Sequence, residues 1–229
     1  MSVAFAALMA AIREDDFTRM NDLLAAHPGL AREGRVAAPS FDPVLGHWIY
    51  RGDTALHAAA AGYRVEMAEL LLAAGAEAGA AWNHRRGQPL HYAADGNGGN
   101  PAGKAPRQVA MIQRLLQSGA DINAQDKNGA TPLHRAVRTR SAAAVQCLLA
   151  AGADPLLRNQ PGSTPFHLAV QNTGRGGSGT AWARAAQKEI IGWFLAHGVS
   201  PGLRDATGKS VRDWARTDWV RELLGHGRD

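Results

Sequence analysis

Lysine, cysteine and long apolar runs are all scarce in this sequence, and each scarcity removes a class of explanation. Only 4 of the 25 basic side chains are lysines, there are 3 tyrosines, and the net charge is +5. With no recognised nucleic-acid-binding motif, nucleic acid is not expected as a partner, despite a pI near 9.9. The sole cysteine, Cys147, has no partner for an intramolecular disulfide and lies in the apolar run "AAAVQCLLAAGA", which reads as a place for a buried core thiol. The opening "MSVAFAALMAAIREDD" has no basic n-region, and its apolar run breaks at Arg13, Glu14, Asp15 and Asp16. Neither a signal peptide nor a membrane span is expected there, and the expected location is cytoplasmic. Also missing are the Gly-Lys-Ser/Thr ending of a nucleotide-hydrolysis loop, a nucleophile elbow, a zincin pattern and a dinucleotide fingerprint. No catalytic residue, metal ligand or cofactor is therefore assigned.

What is present is an ordered composition, 45% hydrophobic and 20% charged over 229 residues, enough for one elongated domain or two small ones. Charge is unevenly placed. Between Lys127 and Lys188 lie eight basic residues and one acid, Asp154, so this segment is +7 and the rest of the chain sums to −2.

The same segment belongs to an internal repeat. "GDTALHAAA" begins at Gly52, "GQPLHYAA" at Gly87, "GATPLHRAV" at Gly129 and "GSTPFHLAV" at Gly162, with histidines at 57, 91, 134 and 167. Each is followed by a second helical pattern ending in a Gly turn, as in "MAELLLAAGAEA" and "VQCLLAAGADP". These residues resemble the ankyrin repeat, with a period of about 33 and a Thr-Pro-Leu-His-x-Ala signature. The resemblance implies an all-α solenoid of stacked helix-turn-helix units with short β-hairpin or loop fingers. It places a capping helix pair at 1–34 and a long connection or finger at 35–51. Four repeats follow at 52–208, with Gly-rich insertions near 95–108 and 172–187, and a degenerate C-terminal capping repeat at 209–229. It also implies that the four histidines hydrogen-bond near helix starts, and that the protein is a binding module for a protein partner.

Residue chemistry agrees with such units. Thr54, Thr131 and Thr164 suit N-caps, Pro132 and Pro165 suit the first helical position, and Gly75, Gly119, Gly152 and Gly198 suit left-handed helix ends. Alanines after each histidine let inner helices approach closely. A unit cannot bury its apolar face alone, so neighbours must stack.

In such a stack the groove-facing positions are Asp95, Gly96, Arg138, Thr139, Gln171 and Asn172, with Tyr92 and Arg135 a turn earlier. Strand alternation in the first finger puts Trp48 and Tyr50 on one face and Arg51 and Asp53 on the other. Trp48, Tyr50 and nearby Trp82 are the aromatic anchors, and His47 and His84 are groove-lining candidates. Arg135 and Arg138 share a helical face, with Arg140 close by. A planar guanidinium fork matches carboxylate or phosphate, so an acidic protein partner or a small anionic ligand is expected; a solvated helix face, or neutralisation by the distant Asp95 or Asp53, is the plain alternative. "QNTGRGGSG", with Asn172 and Arg175, reads either as a backbone anion nest or as a polar insertion without chemistry. A rival arrangement has Asp53, Tyr92, Asp95 and the arginines converging in a ligand or catalytic pocket closed by both Gly-rich insertions. Charges at Arg216, Asp218 and Arg221 on the C-terminal cap point to a monomer.

Overall fold

The computed structural model describes residues 2–96, 104–171 and 179–225. Helices come in antiparallel pairs: α1 (Val3–Glu14) with α2 (Phe17–Ala26), α3 (Ala55–Gly62) with α4 (Val65–Ala73), and α5 (Pro89–Ala94) with α6 (Ala105–Gln117). These are followed by α7 (Pro132–Arg138) with α8 (Ala142–Ala150), α9 (Pro165–Ala169) with α10 (Ala181–Ala196), and α11 (Val211–Trp214) with α12 (Asp218–Leu223). First helices pack on first helices along the chain, α1 on α3, α5, α7, α9 and α11 in turn, and second helices pack likewise. This two-layer stack is an all-α solenoid. No helix among the described residues is long and apolar enough to cross a membrane.

The inner layer is thin because its residues are small. Seven consecutive residues of α3, Ala55 to Ala61, are buried, and five of them are alanine. Each repeat then fastens to the next through its histidine. Thr54, Gln88, Thr131 and Thr164 are N-caps, and the backbone N–H of each donates to Nδ1 of the histidine three residues on. Nε2 of His57, His91, His134 and His167 lies 3.0, 3.0, 3.1 and 3.2 Å from the carbonyls of Gly87, Ala130, Ser163 and Lys209, one repeat further along. With Nδ1 accepting, Nε2 must carry the proton, so these rings are neutral and act as rivets between repeats. The second helices of the four repeats end before Gly75, Gly119, Gly152 and Gly198, all at positive φ.

The connection before the first repeat folds into a hairpin, β1 (Ser40–Asp42) antiparallel to β2 (His47–Ile49), with Phe41 opposite Trp48. Asp42 Oδ1 accepts from the backbone of Val44 and Leu45 and closes the turn. Leu45 and Ile49 enter the core, while Phe41 and Trp48 stay exposed. The strand ends at Ile49, which corrects the alternation expected through Asp53. Arg51 is exposed in a turn, whereas Asp53 is fully buried.

Candidate binding groove

Three adjoining cavities line the inner-helix side. One of about 400 Å³ lies among the hairpin, the second finger and α7; the next, about 540 Å³, shares Arg135 and Arg138 with it; a third, about 550 Å³, meets the second at Pro161 and reaches Lys209 and Trp214. Together they trace a groove along the stack.

At the first cavity Asp95 organises the charge. It ends α5 and is buried although it lines the cavity. The reason is its partners: Arg135 Nη1 at 3.1 Å, Arg138 Nη2 at 3.3 Å and His47 Nε2 at 3.4 Å. Burial alone would raise the Asp95 carboxyl, but the His47 hydrogen bond and the two guanidiniums outweigh it and hold it below the usual carboxylate range. Arg135 also donates to Asp126 and is itself buried. Arg138 reaches Asp95 through one nitrogen and keeps its side chain 56% exposed. The arginines expected as one cluster thus separate. Arg140 leaves the groove altogether: it is buried, and its guanidinium donates to the carbonyls of Ala169 and Gln171 at the end of α9. Burial lowers its pKa to about 10, which still leaves it charged at neutral pH.

Asp53 does not join this cluster. Its carboxylate accepts from Tyr92 Oη at 2.8 and 2.9 Å, Asn83 Nδ2 at 2.7 Å and the Tyr50 backbone N–H. Burial and the Asp53 charge push the Tyr92 hydroxyl far above its ordinary pKa, so it stays a neutral donor. Tyr92 is buried but lines the cavity floor, with the His47 ring 4.5 Å from its own. Trp48, in the strand, and Tyr50, just beyond it, both line the cavity. Trp82 is exposed but is not among the lining residues of the three groove cavities. Asn172 and Arg175 lie outside the described residues, as do residues 97–103 and 172–178 of the two Gly-rich insertions, so the anion nest and the closing lids are not described.

Two contributors escaped the sequence reading. Arg85 lines the first cavity, donates to Tyr50 Oη at 3.0 Å and sits 5.1 Å from the Tyr50 ring centroid. Asp126 supplies the second counter-charge for Arg135. The signal for Asp126 was available: Asn83, Asp126, Asn159 and Asp205 each stand five residues before an N-cap, and each Oδ1 accepts finger backbone N–H groups. No group of three or more metal-ligating side chains occurs among the described residues.

A family model described as ankyrin repeats (3 copies) matches residues 102–205, and one described as ankyrin repeat matches 51–83. Among curated proteins, ankyrin repeat and SOCS box protein 6 of Mus musculus is 37% identical over 84 residues, and that of Homo sapiens 36% over 84. The alignment covers 37% of this chain and 18% of either relative, so the chain matches less than a fifth of their length.

Proposed function

This chain belongs to the ankyrin-repeat family, and from that premise we propose that it recognises an acidic protein partner along the groove between the hairpin and the C-terminal repeat. Ankyrin repeats are generally protein–protein interaction modules, but a fold does not choose the partner or the surface. The observation that carries the choice of surface is the run of three adjoining cavities, joined at Arg135, Arg138 and Pro161. Beside it stand Phe41 and Trp48, large exposed apolar side chains of the kind that anchor interfaces. Arg138 lies at the junction of two cavities with most of its donors uncommitted, which favours a negatively charged partner and an encounter weakened by salt.

The test is site-specific photocrosslinking with the full chain in cell extract. A crosslinker at Gln160, exposed beside the groove, is compared with one at Gln146, exposed on outer helix α8. Discrete adducts from Gln160, lost in Arg138→Ala and retained in Arg221→Ala on α12, are expected. Adducts arising only from Gln146, or equal loss in both arginine variants, would sink the groove assignment.

A further inference from the structure

The cavity beneath the hairpin has an unbalanced hydrogen-bonding inventory, and that imbalance identifies what it takes. Its one lining carboxylate, Asp95, is already shared by Arg135, Arg138 and His47. Its donors are far from used. Arg138 commits one nitrogen. Arg85 commits one, to Tyr50 Oη, which accepts and keeps its own hydrogen free. The Trp48 indole N–H has no acceptor among the described residues, and Arg135 Nε, in a residue 91% buried, has none either. A cavity with surplus donors and a saturated acceptor suits a ligand made of acceptors.

Charge and shape narrow the class. Of the cavity's three guanidiniums, Arg135 pairs with Asp95 and Asp126 and Arg138 shares Asp95, which leaves Arg85 as the one without a carboxylate partner among the described residues. One positive charge matches a single carboxylate better than a dianionic phosphate. Phe41 and Trp48, rings edge to face at 6.0 Å and both about half exposed, form an apolar ledge at the rim that a free inorganic anion leaves unused. The cavity also continues into the groove past Arg138, which gives an extended chain a path onward.

We propose that this cavity receives the carboxylate of an aspartate or glutamate side chain from an extended peptide, seated between Arg85 and Arg138 with an apolar neighbour against Trp48. The site rests on the groove reading above and specifies which chemistry of the partner enters it. The hairpin, foreign to the repeat pattern, is what turns an open groove end into a receptor.

The test follows the Trp48 indole N–H signal of the full chain by NMR, assigned with Trp48→Phe. Probes are acetyl-Leu-Glu-Leu-amide, its Gln counterpart and inorganic phosphate. The Glu peptide should shift that signal saturably and bind roughly tenfold tighter than the Gln peptide, the order expected for a charge-assisted pair. Arg138→Ala and, separately, Arg85→Ala should each weaken it about five- to tenfold, with unfolding midpoints confirming that both variants fold. Equal binding of the Gln peptide, no shift at millimolar Glu peptide, or tighter binding of phosphate would each overturn the assignment. If those results arise while Gln160 crosslinks persist, the carboxylate site alone falls; if the crosslinks vanish too, the groove reading falls with it.

Discussion

Asp95 and Asp53 are buried carboxylates, one at the end of α5 and the other just before the cap of α3, that survive burial by opposite means. Asp95 is held by the guanidiniums of Arg135 and Arg138 and by a hydrogen bond with His47, whereas Asp53 is held chiefly by the neutral donors Tyr92, Asn83 and the Tyr50 backbone, with His57 Nε2 at 4.0 Å. Removing one member of a buried ion cluster strands the others, so Asp95→Asn should cost about 3 kcal/mol in urea unfolding. Arg138→Ala, whose side chain is more than half exposed, should stay within about 0.5 kcal/mol of the parent. Similar losses for both would contradict a hierarchy in which Arg135 is structural and Arg138 is left for the partner. The sequence showed the two arginines on one helical face, and both do reach Asp95. It did not show that Arg135 would be consumed there.

Among the elements, the inner helices are short and depend on caps, while the outer ones depend on length and apolar burial. α6 and α10 each begin within an inserted segment, and each carries in its first half a buried glutamine that reaches back to the first helix of its repeat. Gln108 Nε2 donates to the Ala93 carbonyl and Gln187 Nε2 to that of Ala169, at 2.9 and 2.7 Å. Those bonds satisfy backbone acceptors at the ends of α5 and α9 and keep the stack in register despite the inserted residues. A glycine inside an outer helix and one in a finger turn respond oppositely to a methyl group. Gly192, exposed in α10, has nothing within 4 Å of an added Cβ, and Gly192→Ala should stabilise by about 0.5–1 kcal/mol through backbone entropy. Gly162 sits at φ +84° in a finger turn, with an added Cβ 2.2 Å from that of Ala206. Gly162→Ala should destabilise by more than about 1 kcal/mol. Thermal unfolding midpoints moving in opposite directions would confirm both assignments, and a shift of the same sign would refute one of them.

Across the stack, the four histidine rivets make stability sensitive to mild acid. Burial lowers the pKa of His57, His91, His134 and His167 below the ordinary 6.5, for His91 to about 4, aided there by Arg135. Because the unfolded chain takes up these protons first, their contribution is fully present above pH 6.5 and is lost as the pH falls toward about 4. The lowered carboxyls of Asp95 and Asp126 add a further loss only around and below the ordinary carboxylate value of 3.8. Tm should therefore fall progressively between pH 6.5 and 4.5, and His91→Gln should flatten that slope. A Tm constant across this window would mean that the histidines are not held neutral.

Unlike the Gln88 cap, the repeat register, the three Thr caps, the prolines that follow two of them and the terminating glycines were all legible in the chain itself. Each is set by contacts within three or four residues, so a local pattern suffices to specify it. Which arginines face a partner was not legible. Sequence counting finds +7 between Lys127 and Lys188 with one acid, yet Asp95, forty residues before Arg135, and Asp126, nine before it, supply the counter-charges. Backbone carbonyls of the following repeat absorb Arg140. Stacking places residues about one period apart within hydrogen-bonding distance, and electrostatics act through that space rather than along the chain. The hairpin over the groove end has the same origin: Leu45 and Ile49 bury in the core, β2 packing on α3, and that burial brings His47 to Asp95 and Trp48 to the cavity that Arg138 also lines.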